Sequence, residues 1–112
     1  MLNFQKLDVY QRSIEFLSLT AQVGENPSKG NASLVDQLRR AASSIPLNIA
    51  EAAGRTGRAD MARAYAIARG SAMECAAALD ALALLKVVDI QTKERGDRLL
   101  QAVVEMLTKM CR

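Results

Sequence analysis

Arginine side chains are the residues in this sequence most able to do chemistry. Residues 39–69 contain six arginines and two acidic residues, a local net charge of +4 in a chain whose total is +3. The planar guanidinium group suits phosphate or carboxylate. The pattern therefore predicts either a phosphate-contacting RNA or DNA surface or a set of surface and inter-subunit salt bridges. The six residues are Arg39, Arg40, Arg55, Arg58, Arg63 and Arg69.

A second candidate site is a polar stripe on one predicted helix, residues 37–55. Its polar side chains recur every three or four residues, so they share one helix face. The set includes two carboxylates, Glu51 and Glu74, and paired carboxylates can carry out acid–base catalysis. Because buried charges need partners, we instead interpret these residues as a polar network or oligomer interface. Gly70 joins them because glycine within a helix suggests the close approach of another backbone. The set is Gln37, Arg40, Ser44, Asn48, Glu51, Gly70 and Glu74.

Several residue types that usually carry catalysis or bind metals are missing. The sequence has no His, the commonest metal ligand and a frequent general base. Cys75 and Cys111 lie outside any CxxC motif, so we expect reduced, structural thiols. No apolar run approaches the roughly 20 residues of a membrane span. We therefore expect a cytoplasmic, non-enzymatic protein with no catalytic residues, metal, cofactor or small-molecule substrate.

Apolar residues recur at three- and four-residue spacing along the chain, which predicts helices. The chain has 112 residues, of which 50% are hydrophobic but only 4% aromatic, so small aliphatic side chains must fill the seams between helices. The expected fold is all-α, an antiparallel up-down-up-down four-helix bundle. A chain of this length forms one domain, residues 1–112.

Capping signals predict the first two helices. The first runs from residue 6 or 8 to residue 23, and residues 24–32 form the clearest loop. Ser33 is the expected N-cap of the second helix, which continues through Pro46 and ends near residue 53, with Gly54 in the left-handed conformation. The predicted buried seam of the first helix is Leu7, Tyr10, Ile14, Leu17 and Ala21.

The third and fourth helices follow from similar signals. The third is expected to begin between residues 58 and 60, with Thr56 or Asp60 as its cap, and to end near residue 87. Asp89 or Thr92 is expected to open the fourth, which runs to the C-terminus. The expected seam of the third helix is Met61, Tyr65, Ala68, Ala72, Cys75, Leu79 and Leu82.

Two stretches form specific motifs: QLRRAASSIPLNIAEAAGR at residues 37–55 and AIARGSAMECAAAL at residues 66–79. Together with FQKLDVYQRS at residues 4–13, they resemble the four-helix-bundle proteins encoded in intervening sequences of bacterial 23S rRNA genes. One departure is Ala52, where that family usually has Gly directly after Ala-Glu. The resemblance implies a short bundle that assembles into a homopentameric ring. A related branch of that family is the accessory protein of diversity-generating retroelements. It resembles a basic barrel that binds nucleic acid and a reverse transcriptase.

Taken together, the residues and the resemblance predict a homo-oligomer, a pentamer, in which the second and third helices carry the subunit contacts. Its arginines would form a surface for weak, sequence-independent binding of RNA or DNA. The alternative is a structural or adaptor ring that docks a protein partner without nucleic acid. An enzyme is a third option, for which no catalytic constellation is visible.

Overall fold

Four helices make up most of the structure, a computed structural model that describes residues 1–25 and 30–112. None of the helices in these ranges is both long and apolar enough to cross a membrane. The all-α four-helix prediction is confirmed, and the described residues contain no strand. A 3₁₀ turn, Asn3–Lys6, precedes the helices α1 (Asp8–Thr20), α2 (Ala32–Ala53), α3 (Arg58–Leu84) and α4 (Ile90–Met110).

Each helix packs against two neighbours, with the most extensive contact between α2 and α3. The remaining pairs are α3 with α4, α1 with α4, and α1 with α2. A hydrogen bond from Arg69 to Thr108 joins the first half of α3 to the end of α4. An ion pair of Lys93 with Asp80 joins the start of α4 to the second half of α3. These contacts are consistent with the predicted up-down-up-down order.

The core lies where the apolar stripes of all four helices meet. On α2, the predicted apolar face includes Leu38, Ala42, Ile45 and Ile49, which are completely buried. The two ends of that face differ, because Leu34 is only partly buried and Ala53 is exposed. Burial of one Leu or Ile side chain stabilises the fold by about 1.5–3 kcal/mol. The helix is unbroken at Pro46, which is itself buried. The expected seam of α3 is likewise buried, except that Met61 at its start is only partly so.

The predicted buried side of α1 is wrong, because the observed buried residues are shifted by about one position along the sequence. Ile14 is 40% exposed and Ala21 is exposed, whereas the buried residues of this segment are Val9, Ser13, Phe16, Leu19, Thr20 and Val23. The hydroxyl of Ser13 donates to the carbonyl of Tyr10, and that of Thr20 to the carbonyl of Leu17. Hydroxyl groups that are hydrogen-bonded to their own helix can be buried without losing a partner.

The entry into α2 differs from the prediction. The predicted loop at residues 24–32 includes residues 26–29, which lie outside the described part. Gly30 and Asn31 both have positive φ, and the first helical hydrogen bond runs from the Val35 N–H to the Asn31 carbonyl. Asn31 is therefore the N-cap, and the prediction of Ser33 is wrong because Ser33 already lies within the first turn.

The turn between α2 and α3 also corrects two capping predictions. Gly54 was expected to be left-handed, but its φ is −84°. It donates to the carbonyls of Ala50 and Glu51, so the chain leaves α2 by a right-handed continuation. The N-cap of α3 is Gly57, in an extended conformation, rather than Thr56 or Asp60.

A left-handed lysine ends α3 three residues earlier than predicted. Lys86 has φ +61°, and the N–H groups of Lys86 and Val87 donate to the carbonyls of Ala83 and Leu82. This is a Schellman arrangement, which turns the chain out of the helix. Asp89 then caps α4 by accepting a hydrogen bond from the Thr92 N–H at 2.8 Å, so the predicted start of α4 is confirmed.

Two helical glycines differ in what surrounds them. A Cβ atom built on Gly70 meets nothing within 4 Å, so the predicted close approach of another backbone is absent within this chain. At Gly96 a Cβ atom would lie 2.5 Å from Leu79 Cδ2 and 3.4 Å from Phe16 Cε1. Gly96 is therefore the position where α4 lies tightly against α3 and α1.

We expect opposite effects when these two glycines are replaced by Ala. Gly70→Ala should raise the free energy of unfolding by about 1 kcal/mol, because Ala is the better helix former and has room. Gly96→Ala should lower it by about 1 kcal/mol, because overpacking against the buried Leu79 outweighs the same helix gain. Urea unfolding followed by circular dichroism measures both. A less stable Gly70→Ala or a more stable Gly96→Ala would contradict these placements.

Candidate nucleic-acid and subunit interfaces

Arg39 is an architectural residue that holds the end of α1. Its Nη2 donates to the carbonyl oxygens of Val23 at 2.6 Å and Ala21 at 3.3 Å, and its Nε donates to Thr20 at 3.3 Å. Carbonyls at the end of a helix lack helical partners, and a cation there also meets the negative end of the helix dipole. This guanidinium is therefore engaged with the chain's own backbone.

Arg69 and Arg40 are also paired within the chain. The partly buried Arg69 donates from Nε to Thr108 Oγ1 at 2.8 Å, so it faces α4. Arg40 lies 3.3 Å from Asp36 in an exposed ion pair one turn away on α2. Exposed pairs of this kind contribute little to stability. Together with Arg39, these residues are therefore occupied by intrachain contacts on different sides of the bundle.

The other three arginines stay together at the turn between α2 and α3. Arg55 pairs with Glu51 at 2.5 Å, and both line an open cleft of about 340 Å³ together with Arg63. Within the described residues Arg58 and Arg63 form no ion pair, and both are exposed. These two guanidinium groups are free to contact an anion.

The order of the helices places this turn beside both ends of the chain. The 3₁₀ turn contacts α2, and Leu7 and Val9 share a cleft with Met106 and Met110. We call this part of the molecule the basic end and define it as residues 1–12, 51–63 and 105–112. It contains seven basic and four acidic residues, a net charge of +3 that equals the charge of the whole chain. The rest of the sequence is balanced.

The basic end contains candidate residues that the sequence cluster missed. Arg12 is paired with Asp8 at 2.8 Å, as Arg55 is with Glu51. The remaining cations of the basic end form no ion pair with an acidic side chain in residues 1–25 and 30–112. They are Lys6, Arg58, Arg63, Lys109 and Arg112. Lys6, Lys109 and Arg112 lie outside residues 39–69. In the sequence they could have been found only from the predicted antiparallel order, which places these helix ends at the same end of the bundle.

The polar stripe of α2 faces α3. Asn48 Nδ2 donates to the carbonyl and the hydroxyl of Ser44 at 2.8 and 2.9 Å. Ser71 on α3 donates to the same Ser44 hydroxyl at 2.8 Å. These half-buried groups bond to one another and so link α2 to α3.

The outer part of the stripe borders a second open cleft. Gln37, Arg40, Ser44, Ser71 and Glu74 line it together with Ala41, around about 290 Å³. Glu74 is exposed and forms no ion pair within the described residues, so it is not part of a buried charge pair in the single chain. A partner for Glu74 across a subunit contact stays a prediction.

Exposed apolar side chains accompany these polar groups. Leu47, on the same side of α2 as Arg40 and Glu51, is 67% exposed, and Ile67 on α3 is 49% exposed. Ile67 lines the cleft that contains Asn48 and Glu51. Neither residue belonged to the predicted interface set, because single apolar residues on a polar face are common. We call the outward side of α2 and α3, with Leu47 and Ile67 at its centre, the α2–α3 face.

The cysteines offer little reactivity. Burial and the neighbouring charge of Glu74 raise the pKa of Cys75 to about 12, which keeps it a neutral thiol at physiological pH. Cys111 is also a free thiol, partly buried at the end of α4. Across the described ranges, no three Cys, Asp or Glu side chains are grouped so that they could hold a metal ion.

Arg39→Ala should lower the free energy of unfolding by about 1–2 kcal/mol. The variant leaves three carbonyls without a charged donor, although water can reach some of them. Urea unfolding measures the change. We expect affinity for RNA to be unchanged at a temperature where the variant is folded, because Arg39 lies outside the basic end. Normal stability would contradict its architectural role.

The fold has a close counterpart of known structure. It matches the crystal structure of a protein of unknown function from the S23 ribosomal protein family of Bacteroides thetaiotaomicron VPI-5482, with a TM-score of 0.84. The two chains are 23% identical, and the match covers 93% of this chain and 98% of that one. No curated protein matches this sequence. The family model of the 23S rRNA-intervening sequence protein matches residues 5–109, which confirms the resemblance carried by the motifs. The chain belongs to this family of 23S rRNA-intervening sequence proteins.

Proposed function

We propose that this chain is a non-enzymatic, cytoplasmic protein that assembles into a homo-oligomer, a pentameric ring, and binds RNA or DNA weakly and without sequence preference. The observation that carries the nucleic-acid part is the confinement of the whole net charge to the basic end. Arg58 and Arg63 contribute free guanidinium groups there. Cations on one surface neutralise phosphates and release counterions, which is the main source of non-specific affinity.

The aromatic residues support binding to the backbone rather than to the bases. Phe16 and Tyr65 are buried, while Phe4 and Tyr10 pack edge to face with ring centroids 5.0 Å apart. No other Phe, Tyr or Trp exists in the sequence. Because stacking on exposed aromatic rings is what holds single-stranded bases, contacts should be limited to phosphate and sugar.

The composition of the α2–α3 face supports the subunit contact. Between residues 64 and 79, the exposed side of α3 carries only one charged residue, Glu74, beside Ile67, Gly70 and Met73. Leu47 adds an apolar side chain on α2. Interfaces typically combine such an apolar centre with a polar rim, which here would be Gln37, Arg40, Asn48, Glu51 and Glu74.

A second candidate function is an adaptor that docks a protein without nucleic acid. Its specific support is a group of exposed apolar side chains at the turn between α3 and α4, at the other end of the bundle. Leu84 is 81% exposed there, and Leu85 and Ile90 are also exposed. Pull-down with and without nuclease treatment separates the two functions, because a partner bound through RNA is lost after nuclease and a directly bound one is kept.

A salt titration tests the proposed function. Fluorescence anisotropy with labelled single-stranded RNA and DNA should give binding at low salt, with log K falling linearly against log[salt] at a slope of about −2 to −3. Oligonucleotides of different sequence should agree within about 2-fold if the contacts are to phosphate. Absence of binding at low salt, or binding without a salt slope, would refute the nucleic-acid function.

A further inference from the structure

An apolar cleft lies within the basic end, between the start of α1 and the end of α4. It is a shallow cleft that is open to solvent, has a volume of about 310 Å³ and is lined by Leu7, Asp8, Val9, Met106, Lys109 and Met110. Its lining is almost entirely apolar, unlike the polar clefts beside α3. The proposed contact with phosphates does not use this cleft, because its walls contain almost no polar surface.

The walls of the cleft are adaptable, whereas its floor is fixed. Val9 is only 2% exposed and belongs to the core, so it forms the floor. Leu7, Met106 and Met110 are partly buried and pack against that core. Methionine side chains are flexible and polarisable, and they are frequent at surfaces that accept varied apolar partners. The volume is at the small end of the range for ligand pockets, enough for two or three aliphatic side chains.

The rim of the cleft is positively charged. Lys109 lines the cleft and forms no ion pair within residues 1–25 and 30–112, and the exposed Lys6 directly precedes Leu7. The one carboxylate in the lining, Asp8, is bound by Arg12 at 2.8 Å. A ligand that enters the apolar floor therefore meets an excess of cations around it.

We propose that this cleft docks an acidic amphipathic peptide segment of a partner protein. Aliphatic side chains of the peptide enter between Leu7, Met106 and Met110, and its carboxylates meet Lys6 and Lys109. An amphipathic helix that places apolar anchors in a groove is a recurring mode of peptide recognition. A nucleic acid fits less well, because the surface of the cleft is almost entirely apolar and its lining contains no aromatic ring on which a base could stack. The charge complementarity selects acidic over basic segments.

Binding of a designed peptide tests this inference. The probe is a fluorescein-labelled helical peptide with Leu at i and i+4 and Glu at the surrounding positions, and the comparison is the same peptide with Lys in place of Glu. The acidic peptide should bind, and the basic one should bind at least about 10-fold more weakly. Lys109→Glu should weaken binding of the acidic peptide about 10-fold. Met110→Glu, which puts a like charge in the cleft, should weaken it at least as much.

Arg98→Glu is the matched control, because it makes the same charge change at an exposed position on α4 outside the basic end. It should leave binding of the acidic peptide within about 2-fold of the wild-type value. Circular dichroism checks that every variant is folded. Equal binding of the two peptides, or equal losses in Lys109→Glu and Arg98→Glu, would overturn the proposal. A wild-type chain that binds no peptide, and whose solution mass falls on Met110→Glu, would also overturn it, because a second copy would then cover the cleft.

Discussion

Replacing Arg58 and Arg63 together with Ala will lower the affinity for a short RNA by roughly 30-fold at about 0.1 M salt. Each phosphate contact contributes about 0.7–0.9 to the salt slope, which at this concentration corresponds to a factor of roughly 5–8 in affinity. Both residues are exposed and form no ion pair in the described chain, so their removal breaks no contact that holds the bundle together. Anisotropy titrations at several salt concentrations should show the slope becoming shallower by about 1.5–2.

The matched control is the double variant Arg40→Ala, Arg98→Ala. It removes the same two charges, but both residues are exposed positions outside the basic end. Because Arg40 also lies in the rim of the proposed subunit contact, light scattering must show that this variant keeps the wild-type mass. We expect its affinity for RNA to fall by no more than about 3-fold, because charges beyond a Debye length act weakly. Arg40 also belongs to the cluster in the linear sequence, so the pair of variants separates that cluster from the basic end. Equal losses in the two doubles would show that net charge alone governs binding.

The fold could be predicted because apolar residues recur at helical spacing along most of the chain. The spacing of Leu38, Ala42, Ile45 and Ile49 identified the buried side of α2 without any structure. The same reasoning failed on α1, where Ser13 and Thr20 point into the core. Hydropathy assigns both residues to the surface. They can be buried because their hydroxyl groups donate hydrogen bonds to carbonyls of the preceding turn.

The charged surface could be predicted only in part. A run of arginines in the sequence does not reveal which guanidinium groups are occupied, and Arg39 proved to be bound to the end of α1. Lys6, Lys109 and Arg112 are distant in sequence from Arg58 and come near it only through the packing of antiparallel helices. The hydrogen-bond partner of each guanidinium group depends on which acceptors lie within hydrogen-bonding distance in the fold. Helical periodicity does not predict these distances.

For the proposed oligomer interface, the sequence singled out a residue that has no partner in the single chain. Gly70 was selected because glycine in a helix needs a reason, and the single chain supplies none, since open space surrounds it. That space is available to a second subunit. The predicted interface set did not include Ile67 or Leu47. Their exposure in the structure places them at the centre of the α2–α3 face.

If the proposed homo-oligomer forms, Ile67→Asp will convert it to monomers at micromolar concentration. In the proposed contact this side chain is buried against a neighbour, and a buried, unpaired carboxylate is strongly unfavourable. We expect association to weaken by at least about 100-fold, the size of effect seen for central interface residues. In the single chain Ile67 is 49% exposed, so the monomer should keep its helical circular dichroism. Light scattering coupled to size exclusion measures the mass.

Ile14→Asp separates an interface effect from a general effect of adding Asp to a helix. Ile14 is 40% exposed on α1 and lies outside the α2–α3 face, so the same substitution there has a similar helix penalty and adds the same charge. The oligomer should persist in this variant. If both variants lose mass equally, or if Ile67→Asp keeps the wild-type mass, the α2–α3 face is not the subunit contact. If Ile67→Asp is monomeric as expected, its affinity for RNA shows whether one basic end is sufficient or several must act together. Linked binding sites have a higher combined affinity than single ones.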